Sequence, residues 1–425
     1  MDKRINFSQN SFLLWKETSL PDRQKTITKI AEILRQNQEQ YSLLITQEMG
    51  KPISQSHTEI EKCAALCDYY AANLAKFLKP KKQKNSIIRF DPLGIILGIM
   101  PWNFPFWQVI RFAIPTIAAG NVVILKHSNN VQKCASAIEE IFNQACEIKN
   151  IFTNLKIDKE QIPQIIAHKN VKAVSLTGGK KAGQEVAKHA GANIKKCLLE
   201  LGGNDPYIIL KDADLDLAAK MCVQSRMINA GQSCIGAKRI IAVKEIHQEL
   251  VEKLTKEVQK YQMGDPFLAE TNFGPMANLN QRNEVDFQVQ ESIKKGAKLI
   301  FGGFVPNLQG NFYPPTILTN VLKEMPAYNE EIFGPIVSII NVEDEKMAIK
   351  IANDSEFGLG AGIFSKNINK ARKLARLINS GNVSINNFVK SNPELPFGGV
   401  NSSGFGRELA NFGMMEFVNV KTVTF

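Results

Sequence analysis

From Gly94 onward short apolar strands alternate with amphipathic helices, and this alternation restricts the fold more than any other feature of the chain. Gly94 to Ile99, Asn121 to Leu125, Val171 to Leu176 and Lys196 to Leu201 read as strands, with helices at Val131 to Cys146 and Lys181 to His189. Such a series predicts a doubly wound, mostly parallel sheet. A second series follows Gly203, with helices at Leu215 to Ile228 and His247 to Lys260 and strands at Arg239 to Val243, Ile336 to Val342, Gly362 to Phe364 and Val383 to Ile385. The expected fold is α/β, in two domains joined near Gly202-Gly203. Upstream, Pro21 in a first turn, a stripe of Ile27, Ile30, Ile33 and Leu34, and a stop at Gly50 predict helices. Lys81 to Phe90 and Phe417 to Phe425 are β-prone outside the alternation, so they are expected to form an accessory sheet or an intersubunit edge.

A length of 425 residues exceeds one ordinary core and agrees with more than one domain. The longest apolar run, Gly94 to Met100, falls far short of the ~20 residues that span a bilayer. Met1-Asp2-Lys3-Arg4 leads into a polar stretch, not a signal core, so a cytoplasmic protein is expected. The net charge of +11 comes mostly from basic residues dispersed among acidic ones, and the one dense cluster, Lys79 to Lys84, has no interleaved aromatics. Nucleic-acid binding is therefore not expected; a mild preference for anionic substrates is. The 7 cysteines include no CxxC pair and the 5 histidines lie far apart, so no metal site is expected. Cys63 and Cys67, one helical turn apart, read as small buried apolar residues.

Only Cys234 lies in a setting that suggests reactivity. It ends the stretch Asn229-Ala230-Gly231-Gln232-Ser233-Cys234, where Gly231 suggests a tight turn whose exposed amides would stabilise a thiolate or a developing oxyanion. Glu200 ends a strand, and Gly202-Gly203 leave room beside it, so its carboxylate, pointing into a cleft, can serve as a base if burial raises its pKa from about 4.3. Asn103, between Pro101 and Pro105, offers an amide donor for an oxyanion. Thiol, carboxylate and amide are the parts of acyl chemistry at a carbonyl carbon. No histidine is near in sequence, which makes a Cys–His protease the poorer fit. Lys126 closes a strand, where doubly wound sheets bind ligands. Thr177-Gly178-Gly179 follows another strand and opens a helix, a setting that suits anions. With Gly183, however, these glycines do not make a GxGxxG fingerprint, and by spacing alone the turn is equally a plain strand–helix junction.

In order along nearly the whole chain, PWNFP (101–105), LKHS (125–128), LTGG (176–179), LELGG (199–203), GQSC (231–234), EEIFGP (330–335), PFGG and SGFGRE (396–408) resemble the NAD(P)-dependent aldehyde dehydrogenases. The resemblance implies a Rossmann-type cofactor domain (1–80 and 93–202), an α/β catalytic domain (203–408) and a small oligomerisation sheet (81–92 and 409–425). It implies Cys234 as nucleophile, Glu200 as the residue activating water, and Asn103 as an oxyanion donor together with the Cys234 N–H. Lys126 would bind the adenosine ribose, Glu331 the nicotinamide ribose, and Phe333 would place the nicotinamide ring. The turn of Thr177, Gly178 and Gly179, with Gly183, would run along the pyrophosphate, and Trp102, Ser128, Asn129, Leu201 and Gly202 would complete the cofactor site. The implied cofactor is NAD or NADP, the implied partner an aldehyde, and the implied assembly a homodimer or homotetramer.

TQEMGKPISQ (46–55), EKCAALCDYY (61–70), MPWNFPFWQVIR (100–111), MGDP (263–266) and NDSEFGL (353–359) look most like the bacterial succinate-semialdehyde dehydrogenases within that family. Arg111 matches an arginine that holds the substrate's distal carboxylate there, a task suited to a guanidinium fork. The position six before the nucleophile, where some members carry a second arginine, is Ile228, with Arg226 nearby. Asn129 stands where many NAD-preferring members have an acid, so a 2′-phosphate is not repelled and NADP is admissible. Gly179 replaces a usual serine, and roughly thirty N-terminal residues typical of the family, about one hairpin and its connection, are missing. The expected reaction is oxidation of succinate semialdehyde to succinate. The alternatives are another short-chain aldehyde, transfer of the thioester to coenzyme A or phosphate, or a catalytically impaired binding relative.

Overall fold

A computed structural model describes residues 2–425. Four helices lead: Asp2–Trp15, Leu20–Gln36, Gln38–Met49 and Ile53–Phe77. The second starts on a capping box, in which Ser19 and Asp22 satisfy each other's backbone N–H, with Pro21 in the first turn. The third ends at Gly50, whose φ of 76° closes it in the left-handed conformation.

The first sheet orders its strands Gly404–Phe405, Lys196–Glu200, Val171–Thr177, Ile95–Met100, Val122–His127 and Phe152–Asn154. All pairs are parallel except the one to Gly404–Phe405. The chain starts in the middle at Ile95–Met100, builds outward to Phe152–Asn154, then returns to the other side through Val171–Thr177. The crossover reverses at Ile95–Met100, so a crevice opens beyond its carboxyl end and that of Val171–Thr177, where open α/β sheets bind ligands. Ile95–Met100 and Val122–His127 are buried along their whole length, which is why they read as unbroken apolar runs.

The second sheet has seven strands, in the order Lys298–Phe301, Thr316–Thr319, Ile336–Val342, Arg239–Val243, Pro206–Ile209, Gly360–Phe364 and Asn382–Ile385. Only its first pair is antiparallel. Each large sheet has its own apolar core. One is built mainly from the first two hundred residues plus the segments around Val389, Phe397 and Met414; the other runs from Tyr207 to Phe388. Lys81–Gln83, Ser86–Pro92 and Val418–Thr424 make a separate antiparallel sheet, in register from Val418↔Pro92 to Thr424↔Ser86. Among the described residues no helix is long and apolar enough to cross a membrane, and no group of His, Cys, Asp and Glu could hold a metal ion.

Candidate active site

Two cavities meet at Cys234. One, of about 410 Å³, is lined by Lys62, Trp107, Arg111, Ile228, Ser391 and Phe397 among others, together with the cysteine. The other, of about 310 Å³, holds Cys234 beside Trp102, Asn103, Thr177, Gly202, Glu331 and Phe333. Cys234 is half-buried between them.

The loop that presents the sulfur is strained in a way the side chains explain. Asn229, Ala230 and Gly231 all have positive φ (56°, 51° and 75°), two of them without the freedom of glycine. Asn229 holds the turn by donating from Nδ2 to the Asn103 carbonyl at 2.8 Å, and its own N–H donates to Gln55 Oε1 at 2.8 Å. Gly231 permits a close crossing, since a Cβ there would lie 2.2 Å from the Gly334 carbonyl oxygen. Asn103 Nδ2 donates to the Gln232 carbonyl at 3.1 Å. An amide nitrogen carries two hydrogens, so this bond fixes Asn103 against the loop and leaves the second N–H for an oxygen in the cavity. Burial pushes the Cys234 thiol pKa up, while Lys238 and Arg111 draw it back. Lys238 Nζ donates to the Cys234 carbonyl at 2.5 Å and pairs with Glu331 at 3.2 Å, so it ties the thiol loop to the second cavity.

That second cavity lies at the carboxyl edge of the parallel sheet. Register places Ile99 beside Lys126 and beside Leu176, and Thr177 beside Glu200, so Pro101, Lys126, Thr177 and Glu200 share one edge. Gly178, Gly179 and Leu201 line it too, with Gln281, Glu284 and Gln288 of the Leu279–Lys294 helix, and Gly179 caps the Lys180–Ala192 helix. Glu331 closes over Gly202, where a Cβ would sit 2.0 Å from its carboxylate, and accepts from the Gly203 N–H at 3.1 Å. Trp102 and Phe333 meet edge to face at 5.9 Å. Gly183 lets its helix pack on Leu201, which a Cβ would approach to 2.6 Å; at Gly179 nothing lies within 4 Å, so no steric demand keeps a hydroxyl out there. Lys126, Ser128 and Asn129 stand outside the lining, at the end of the neighbouring strand. Lys126 Nζ donates to Asn129 Oδ1 at 2.8 Å, and Ser128 Oγ donates to Asn130 Oδ1 at 2.7 Å.

Glu200 and Arg111 share a buried charge cluster. Glu200 lines neither cavity; its Oε1, without a hydrogen-bond partner, fits against Gly398, where a Cβ would lie 2.8 Å away. Burial first, and then the Glu408 carboxylate, push its pKa up to about 8, with Arg111 and Arg407 opposing. Arg111 is buried too and pairs with Glu408 at 2.5 Å (Nε to Oε2), leaving its Nη2 without a partner. Arg226 points elsewhere: it is fully buried and donates to the carbonyls of Gly231, Ile332 and Ile336, so it braces the loop that leads to Cys234.

Compared with known proteins, residues 1–423 match the model of the aldehyde dehydrogenase family. The chain belongs to the aldehyde dehydrogenase family. Its relatives include a succinate semialdehyde dehydrogenase [NAD(P)+] of Escherichia coli, 42% identical over 100% of this chain and 92% of that one. A probable succinate-semialdehyde dehydrogenase [NADP(+)] of Synechocystis is 43% identical over 100% of this chain and 94% of the other. Among solved structures, the succinic semialdehyde dehydrogenase of Streptococcus pyogenes in complex with NADP+ superposes with a TM-score of 0.97 at 37% identity, covering 100% of this chain and 94% of that one.

Several residues of this aldehyde dehydrogenase site escape sequence reasoning. Glu59 is buried, pairs with Lys51, and accepts from the Phe106 and Trp107 N–H groups at 2.9 Å, so it caps the Trp107–Ala118 helix that carries Arg111. In sequence it is one more charge on an amphipathic helix. Lys62, three residues on, reads the same way. Lys238 is the one with a legible signal: a lysine four residues past Cys234, immediately before an apolar strand. Glu408 is visible only as the end of SGFGRE, and its partner lies about three hundred residues earlier.

Proposed function

We propose that this aldehyde dehydrogenase oxidises succinate semialdehyde to succinate with NADP+ or NAD+. The observation that carries the reading is the position of Cys234 as the shared wall of two cavities, one lined by the Arg111 side chain and the other lying at the carboxyl edge of the parallel sheet. The names of the Escherichia coli, Synechocystis and Streptococcus pyogenes relatives support the substrate and the cofactor.

The residues of the second cavity fit a dinucleotide. The Thr177 hydroxyl is buried without a partner at the crevice, and Gly202 lets the Glu331 carboxylate close over the same cavity. Thr177, Gly178 and Gly179, with the N-terminus of the Lys180–Ala192 helix, would hold its phosphates, and Glu331 and Lys126 its two riboses. When bound, the nicotinamide supplies a hydride acceptor.

In the proposed mechanism the Arg111 guanidinium takes the distal carboxylate and directs the aldehyde carbon to Cys234. The thiolate adds to that carbon, and the second N–H of Asn103 with the Cys234 N–H receives the oxyanion. Loss of hydride leaves a thioester on Cys234. Glu200 takes a proton from water, which attacks the thioester and releases succinate and the thiol. A carboxylate whose pKa burial has pushed up to about 8 is, once ionised, a stronger acceptor for that proton than an ordinary glutamate. Coenzyme A or phosphate as acceptor would leave Glu200 without a task.

Steady-state formation of reduced cofactor with succinate semialdehyde, other semialdehydes and butanal tests the reading. A kcat/KM for butanal equal to that for succinate semialdehyde would overturn it. Replacing Arg111 needs care, because it also neutralises Glu408. Arg111→Met is expected to raise KM for succinate semialdehyde roughly 10- to 100-fold. It is also expected to destabilise the fold by about 3–5 kcal/mol, since a buried carboxylate loses its partner. Arg111→Met with Glu408→Gln should recover much of the lost Tm but keep the raised KM; recovery of KM as well would show that Arg111 serves only the fold.

Asn129 bears on cofactor choice. An amide beside Lys126 leaves no carboxylate there to repel a 2′-phosphate. Asn129→Asp should raise KM for NADP+ about tenfold or more and leave that for NAD+ nearly unchanged, by like-charge repulsion. A common shift for both cofactors would place position 129 outside the 2′ site.

The assembly proposed is a homodimer or homotetramer in the cytoplasm, with the three-stranded sheet as the joining element. Val420, Val423 and Phe425 are exposed on it, which is the kind of apolar edge that association covers. Light scattering on the purified chain would return a single protomer mass if this is wrong.

A further inference from the structure

Lys62 lies on the Ile53–Phe77 helix and lines the cavity that contains Cys234 and Arg111. Its Nζ donates to Ser391 Oγ at 2.7 Å and stands 3.9 Å from the centre of the Trp107 ring. Among the described residues it has no carboxylate within ion-pair distance. Glu59 is one turn away on the same helix, but its oxygens are taken by Lys51 and by the amides of Phe106 and Trp107. The opposite wall at Ile228 is apolar. Lys390 also lines the cavity, but it is exposed.

Two cations, Arg111 buried and Lys62 half-buried, thus line one cavity. Arg111 has a carboxylate on its Nε side and a bare Nη2; Lys62 has only a hydroxyl and an aromatic face. Their mutual repulsion is felt: burial and then Arg111 push the Lys62 pKa down to about 8. An anion bound between them would relieve both burial and repulsion. A carboxylate has two oxygens, one for each cation.

We propose that Lys62 is a second contact for the substrate carboxylate, taking one oxygen at Nζ while the Arg111 guanidinium takes the other, with Ser391 Oγ steadying the ammonium. The inference rests on the succinate-semialdehyde reading and sharpens it. Specificity then comes from a mixed lysine–arginine pair supplied by two helices, and the wall near the nucleophile at Ile228 needs no charge.

The test is the ratio of kcat/KM for succinate semialdehyde to that for butanal. In Lys62→Met, which keeps side-chain length, this ratio should fall roughly 10- to 100-fold, the range of one lost charge-assisted hydrogen bond. A preference retained in Lys62→Met would overturn the role of Lys62 and leave the substrate reading standing. Absence of the preference in the unaltered enzyme would overturn both. A second measurement needs no variant. The ratio in the unaltered enzyme should be flat below pH 8 and fall toward tenfold per pH unit above it, as the ammonium loses its proton. The titratable and charged groups facing Lys62 are Glu59 and Cys63 on its own helix, Arg111 on the next, Cys234 on the nucleophile loop, and Lys390 at the cavity rim. Titration of the nucleophile affects both aldehydes alike and cancels. A ratio that stays flat across that range would also overturn the proposal.

Discussion

Cys234→Ala is expected to lose turnover by on the order of 10⁴-fold or more while binding NADP+ as tightly as the unaltered enzyme. The size follows from covalent catalysis: without sulfur there is no adduct from which hydride can leave and no thioester to hydrolyse. The second half follows from geometry. The cavity on the sheet side is lined chiefly by Trp102, Thr177, Gly202, Glu331 and Phe333, and shortening one shared side chain leaves these in place. Fluorescence titration with NADP+, set beside a turnover assay, reads both. Residual activity within tenfold of the unaltered enzyme would refute the nucleophile assignment, and a lost cofactor site would show that the loop had collapsed.

Glu200→Gln should separate the two halves of the reaction. One equivalent of reduced cofactor per active site should form in a burst, followed by a steady state slowed roughly 10²- to 10⁴-fold, because water attacks the thioester without its base. The pH dependence carries a sign. In the unaltered enzyme Glu200, with its pKa pushed to about 8 by burial and Glu408, is neutral below that pH and cannot take a proton from water. Hydrolysis should therefore climb with pH up to about 8 and level off above, and in Glu200→Gln that rising limb should vanish. Rapid-quench measurements of burst and steady state at several pH values check this. A variant that shows no burst would mean Glu200 acts before the thioester forms.

Much of this molecule can be read from its residues, and the reasons are local. The strands around Ile96, Val123 and Val174 are legible because both faces are buried and nearly every residue must be apolar. The glycines after Glu200 are legible because something must come close: the Glu331 carboxylate at Gly202, and at Gly203 the Cys234 carbonyl, 2.9 Å from where a Cβ would be. What resists reading is pairing across the fold. Nothing near Arg111 in sequence announces Glu408, and nothing near Lys62 announces Ser391, because these contacts form only when distant segments fold together. Arg226 shows the same limit from the other side, since a cation close to the nucleophile in sequence turns out to brace backbone carbonyls. The expectation that Glu200 opens into a cleft also needs refinement. Its strand and its glycines set it near Cys234, but the carboxylate is turned in against Gly398, a residue from the far end of the chain.

A sulfur reached from two sides has a kinetic consequence. In the proposed reaction aldehyde and dinucleotide would each approach it through its own cavity, so neither would have to leave before the other could enter or depart. Product acid can escape on one side while oxidised and reduced coenzyme exchange on the other. Inhibitors shaped for one mouth should then slow the enzyme without being displaced by an excess of the reactant that uses the opposite door.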